Sequence, residues 1–195
     1  MGVCVLVSLV GFSALRGDRT RDRFLFRPSE VVKGRGFTGL VLSHFAHGDV
    51  GHLVLNMLAL YFFGPRVERA LGSLPFLLVY AVSGIVGSLA VFVMRRRDPR
   101  YGALGASGSI AGVVFASVVI APTSRIFLLI FPFPIPAPIF ALLYLVFSSM
   151  KMGGRDGVAH EAHVGGAVAG FALAGVLFGP GFAPLLRFFE HMLHG

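Results

Sequence analysis

The 195-residue chain is 55% hydrophobic and 13% charged, with a mean hydropathy of +0.81, a composition that excludes an ordinary soluble domain and points to an integral membrane protein. Its net charge of +8 does not indicate a nucleic-acid binder, because Lys and Arg lie between long apolar runs rather than along one polar face. Cys4 is the single cysteine, which excludes an intramolecular disulfide framework and a thiolate metal cluster.

A hydrocarbon core of about 30 Å requires roughly 20 apolar residues per helix. Apolar segments near 1–15, 48–64, 74–94, 104–121, 135–150 and 159–178 therefore predict an all-α bundle of six transmembrane helices forming one membrane domain over 1–195. The first segment is short, ends before Arg16 and lacks the basic flank of a signal peptide, so it reads as a span that could begin upstream of Met1. Segment 16–46, with Arg16, Arg19, Arg21, Arg23, Arg27, Lys33 and Arg35, is expected to be a long polar connection. Between the fourth and fifth segments, "FPFPIPAP" (131–138) predicts an extended path, since its alternating prolines forbid a helix. A short amphipathic tail follows at 181–195.

Polar groups at membrane depth are costly and need a reason. His52 and Asn56 stand four apart in "HLVLN" and share one helix face. Ser107, in "GASGSIAG" (105–112), immediately precedes Gly108-xxx-Gly112, a small-xxx-small surface that permits close backbone approach. His163, in "AHVGGAVAG" (162–170), precedes a second such surface at Gly166 and Gly170. In an up-down bundle the second, fourth and sixth helices run in the same direction, so these four residues share a depth. If the glycine faces of the fourth and sixth helices meet, Ser107 and His163 come within reach of each other. That constellation is what nucleophilic acyl transfer requires: Ser107 as nucleophile and His163 as the base that takes its proton and returns it to the leaving amine. Asn56, an N–H of His52 and the backbone N–H groups that open the fourth helix are suitable oxyanion donors.

In order along the chain, "HGDVGHLVLNMLALYFFG" (47–64), "GPRVERALG" (64–72), "GASG" (105–108) and "AHVGG" (162–166) resemble the motifs of the rhomboid intramembrane serine proteases of bacterial type, over about Ser43 to Gly179. The resemblance implies a serine endopeptidase that cuts transmembrane segments of membrane proteins. It implies Ser107 and His163 as the catalytic dyad, His52 and Asn56 as the oxyanion-side pair, and Gly105 and Gly108 as the glycines flanking the nucleophile. His47 and Glu68 also fit family positions, and are expected to be a buried hydrogen-bonding partner and a loop anchor. His44 and His160 read as structural. Partners are then transmembrane protein substrates and the lipid bilayer, with no nucleic acid, no metal and no organic cofactor. The location implied is a bacterial plasma (inner) membrane.

Each motif alone also has a plain reading: helix-packing glue for GxSG, interhelical hydrogen bonding for Asn56 and a satisfied core histidine for His52 or His163. The alternative for the whole chain is a catalytically inactive relative that binds membrane clients, although such a relative would be expected to lose the serine or histidine that this chain keeps. "HEAH" (160–163) is not the HExxH zinc motif, because its histidines are three apart rather than four. Two departures from the family stand out. Some members carry a tyrosine four residues after the serine, packed against the histidine; that position is Ala111 here, leaving open what orients His163. Members with a tryptophan-arginine pair in the first loop differ too, since this chain has no tryptophan. For orientation, the connections after the first, third and fifth helices hold thirteen Lys and Arg against four on the other side. Charge bias would make that side cytoplasmic, whereas the resemblance implies an opening to the cell exterior on the same side, and the resemblance is followed.

Overall fold

A computed structural model of the chain describes residues 2, 4–6, 23–128, 131–152 and 158–194. Residues 2 and 4–6 are helical; the rest of the segment expected near 1–15, and 16–22 of the connection after it, lie outside the described residues. The remainder of that connection, 23–46, is not plain polar loop. Pro28–Val32 (α1), opened by a proline at its first position, and Phe37–Leu42 (α2) are short helices, and α2 runs on into a 3-10 turn at Ser43–Phe45. The charge run hid these helices because its apolar residues are too few for a hydropathy signal.

Val50–Leu71 (α3) begins at Asp49, whose carboxylate accepts the His52 backbone N–H at 2.8 Å. This cap satisfies one of the orphan donors of the first turn and fixes His52 there. Ser73–Arg95 (α4), Ser107–Ile120 (α5), Ala137–Lys151 (α6), His160–Leu177 (α7) and Ala183–His194 (α8) come next along the chain. Among the described residues α3 and α4 are long and apolar enough to cross a membrane, while α5 and α6 are apolar but shorter. The fold is thus mostly helical, with two full-length candidate spans where hydropathy led to the expectation of six. The shortfall has local causes. Gly105 takes φ 139°, so α5 starts no earlier than Ser107, and α7 spends its first turn on His160, Glu161 and His163.

The proline-rich stretch is extended as expected, but as a strand rather than a free polyproline path. Phe131–Pro136 (β2) pairs antiparallel with Arg125–Leu128 (β1), with Ile135 opposite Ile126 and Phe131 opposite Leu128. Pro136 stands opposite Arg125, and the strand tolerates its prolines, which carry no N–H, because in a two-stranded sheet each strand is an edge and the pairing is bulged between Ile126 and Leu128.

Helix α5 is the centre of the fold: every residue from Gly108 to Val119 is buried. It packs against α7 through glycines. A Cβ on Gly166 would overlap the Gly108 backbone, and one on Gly170 would overlap the Gly112 backbone. Both pairs advance in the same direction, so α5 and α7 run parallel, as helix parity requires. Helix α4 closes the third side, where a Cβ on Gly87 would lie 2.7 Å from the Ala162 carbonyl oxygen. Small residues on three helices thereby bring backbones together at the level of Ser107 and His163.

Candidate active site

Ser107 is the first residue of α5, and the residue before it, Ala106, offers no side-chain cap. The first-turn N–H groups of α5 have no intrahelical acceptor and carry the positive end of the helix dipole. The loop that delivers the serine is pinned on two sides: Phe26 and Ala103 exchange backbone hydrogen bonds at 3.0 and 2.9 Å, and the Gly105 N–H donates to the Ser43 carbonyl at 2.9 Å. Gly105 is required twice over. Its φ is one that residues with a Cβ rarely adopt, and a Cβ there would lie 2.6 Å from His52 Cε1 and 2.9 Å from Nε2. The same point is 3.5 Å from Ser107 Oγ, so His52 and the serine flank Gly105.

A cavity of about 480 Å³ opens in front of the serine, and Ser107, His163 and Asn56 all line it. Asn56 is 6% exposed, and its Nδ2 has no hydrogen-bond partner among the described residues. A buried, unspent amide donor is costly to leave unmade, and here it belongs to a side chain on the wall shared with Ser107. Behind the serine a second cavity of about 20 Å³, lined in part by His44, Ser88 and Gly105, is roomy enough for a single water molecule. Of the expected site residues, Ser107, His163 and Asn56 meet in one cavity. His52 joins through Gly105, and Gly108 serves packing, close to the Ala162 carbonyl.

Tyr144 of α6 stacks on the His163 ring, with centroids 6.0 Å apart and planes at 27°, and lines the same cavity. The aromatic partner of the histidine thus comes from another helix, while Ala111, the position where some relatives carry it, lies on the cavity wall without a ring. Periodicity could not have revealed this, since Tyr144 and His163 are joined by helix packing alone. His160 also packs edge-on with His163, ring centroids 5.8 Å apart.

Glu161, two positions before His163, is paired with an arginine. It accepts a hydrogen bond from Arg95 Nε at 2.7 Å in a pair whose side chains are 11% and 0% exposed, and the guanidinium lies 4.8 Å over the Tyr101 ring. Burial first, then Glu161, pushes the Tyr101 hydroxyl up to about 12, with Arg95 opposing. The group ties the end of α4 and the 96–106 loop to the first turn of α7, and therefore sets where His163 sits.

His47 departs from expectation. It is 1% exposed, but neither ring nitrogen is hydrogen-bonded among the described residues; the ring packs edge-on against His52 at 5.3 Å. His44 is a buried core histidine, its Nε2 3.2 Å from Ser88 Oγ. Glu68 accepts from Ser73 Oγ at 3.0 Å across the α3–α4 junction, where a loop anchor belongs.

The chain matches the family model described as "Rhomboid domain" over residues 34–180. It is 30% identical over 171 residues to "RHOMBOID-like protein 12, mitochondrial" of Arabidopsis thaliana, an alignment covering 78% of this chain and 50% of that protein. It is 34% identical over 148 residues to "RHOMBOID-like protein 4" of Arabidopsis thaliana, covering 76% and 36%. It is 33% identical over 135 residues to "Presenilin-associated rhomboid-like protein, mitochondrial" of Homo sapiens, covering 67% and 35%. The chain thus spans between about a third and half of the length of these curated relatives. They are eukaryotic and two are mitochondrial by name, which gives no support to the bacterial type or to the bacterial plasma membrane inferred from sequence.

Proposed function

The chain belongs to the rhomboid family of membrane proteins, and from that premise we propose that it is an intramembrane serine endopeptidase acting on transmembrane segments of other membrane proteins. The observation that carries this reading is the shared cavity: a hydroxyl, an imidazole and an unspent buried amide on one wall.

In this mechanism His163 accepts the Ser107 Oγ proton as the oxygen bonds to the scissile carbonyl carbon. The carbonyl oxygen becomes an oxyanion, held by the Asn56 amide, an N–H of His52 and the uncapped N–H groups of α5. Collapse breaks the C–N bond, and His163 returns the proton to the leaving amine. Water, activated by the same imidazole, then hydrolyses the acyl-serine and frees the second product. Tyr144 keeps the imidazole plane fixed through both steps. The protein part of the reaction is complete with these side chains.

We place the site within a six-span domain: α3 and α4 as full spans, α5, α6 and α7 as shorter ones, and the segment near 1–15 as the sixth. Because a stable helix hides its carbonyls in hydrogen bonds, suitable substrates carry Gly, Pro or β-branched residues near the cut. The test is covalent labelling by a fluorophosphonate in reconstituted membranes. Parent chain should label, and Ser107→Ala and His163→Ala should not. Labelling that survives in Ser107→Ala overturns the nucleophile, and a folded parent that never labels favours an inactive, client-binding relative.

A further inference from the structure

The cavity that holds Ser107 and His163 does not end with them. On α3 its lining continues from Asn56 to Arg66, about 15 Å along the axis at about 1.5 Å per residue. Arg125 joins the same lining from beyond the C-terminal end of α5, so the two arginines close the end of the groove opposite Ser107. Between the ends the wall is aliphatic and aromatic, with Val114 on α5 and Phe140 on α6.

These arginines differ from others in the chain. Lys33, Arg35 and Arg95 each face a carboxylate, whereas Arg66 and Arg125 take part in no ion pair among the described residues. Among the described residues, the side of the fold they occupy is poor in cations, with Arg66, Arg69, Arg125 and Arg187 against nine Lys and Arg in the connections of the other. Two of those four stand at this one mouth. Phe62 and Phe127, 66% and 70% exposed, flank it. A long apolar slot with two uncompensated cations at one end is complementary to an anionic amphiphile. Basic pockets between transmembrane helices take lipid headgroups in this way, and the guanidinium fork matches phosphate.

We propose that Arg66 and Arg125 hold the phosphate headgroup of an anionic phospholipid whose acyl chain lies in the groove toward Ser107, so that lipid and substrate exclude each other. The lipid binding stands on the groove itself; only its effect on cutting rests on the protease reading. A substrate carboxylate could meet the same arginines, but it would have to come from one particular client, whereas phospholipid surrounds the chain wherever it is embedded.

The test is native mass spectrometry of the full chain released from detergent containing phosphatidylglycerol or phosphatidylcholine. One retained phosphatidylglycerol is expected on the parent and on Ser107→Ala alike, and on the charge-conserving pair R66K/R125K. The pair R66Q/R125Q should hold it about 30-fold less tightly, at about fivefold per cation, and R125Q alone, at an exposed strand position, about fivefold less. R187Q on α8 should match the parent. Retention by R66Q/R125Q, equal retention of phosphatidylcholine, or displacement by inorganic phosphate alone would overturn the site. An adduct kept by R66Q/R125Q together with slower cutting of substrates that carry a carboxylate at this depth would assign the arginines to substrate instead. In vesicles, labelling of Ser107 should be slower with phosphatidylglycerol than with phosphatidylcholine in the parent, and alike in R66Q/R125Q. Equal parental rates in the two lipids overturn the exclusion, and no labelling in either counts against the protease reading while the adduct is unaffected.

Discussion

Gly166→Ala isolates the contact on which the site geometry depends. The added Cβ would lie 2.7 Å from the Gly108 carbonyl carbon and 3.1 Å from its Cα, with the carbonyl oxygen nearer still. Carbon atoms in contact sit about 3.5–4.0 Å apart, so α5 and α7 must separate by about 1 Å. Overpacking of this kind costs about 1–3 kcal/mol, and in a chain of this size each 1 kcal/mol lowers the melting temperature by about 2–4 °C. The displacement also falls between the helix that carries Ser107 and the helix that carries His163. A misplacement of about 1 Å can cost about 100-fold in rate, so activity should fall further than stability. Gly179→Ala is the control, because nothing lies within 4 Å of its Cβ. Thermal unfolding in detergent and fluorophosphonate labelling rates measure the two effects. Parental melting and parental labelling in Gly166→Ala would refute the claim that backbone contact between α5 and α7 sets the site.

Replacing Tyr144 tests the stacked ring. Tyr144→Phe keeps a ring on His163 and should label within about twofold of the parent, whereas Tyr144→Leu should lose roughly 2- to 10-fold, since an aromatic pair contributes about 0.5–1.5 kcal/mol. Equal rates for the two variants would remove Tyr144 from the positioning of His163. Acid should destabilise the fold through His44, which burial holds down at about 4 against an ordinary 6.5, the Leu40 backbone opposing. The folded state keeps this ring neutral while the unfolded chain takes up a proton below about 6.5, so stability is present above that pH and is lost as pH falls toward 4. The loss approaches about 3 kcal/mol at the lower end of that window. Melting curves at pH 7 and pH 4.5 for the parent and His44→Gln should show a larger drop in the parent, and equal drops would sink the assignment.

What the sequence made legible was what depends on spacing. Hydropathy located α3 to α7, and the glycine spacing after Ser107 and His163 named the two faces that meet at Gly108 with Gly166 and Gly112 with Gly170. Helix ends were less legible: α3 continues past Gly64 through Pro65 to Leu71, because a polar, charged last turn carries no apolar signal. Pairings between distant side chains were not legible at all. Tyr144 with His163 and Arg95 with Glu161 depend on the angle and depth at which helices cross, and neither leaves a local pattern. His47 shows the opposite failure, since a motif position invited a hydrogen bond that its surroundings replace with ring packing against His52.

The start of α5 is where two demands of the fold become one. A helix that opens inside a membrane protein leaves N–H groups that lipid cannot satisfy, and most helices would avoid that cost by starting at the interface or by supplying a cap. Here Ala106 supplies none, Gly105 prevents an earlier start, and Asn56 adds another unspent donor on the same cavity wall. Ala106 is fully buried and takes right-handed helical dihedrals, so a carboxylate cap in its place would have to be buried in the core at a cost greater than the capping bond returns. Under the proposed mechanism the same carboxylate would also put a negative charge where the oxyanion is to form. Packing at Ala106 thus keeps the cap away, and the first-turn N–H groups it leaves open are those the proposed mechanism assigns to the oxyanion.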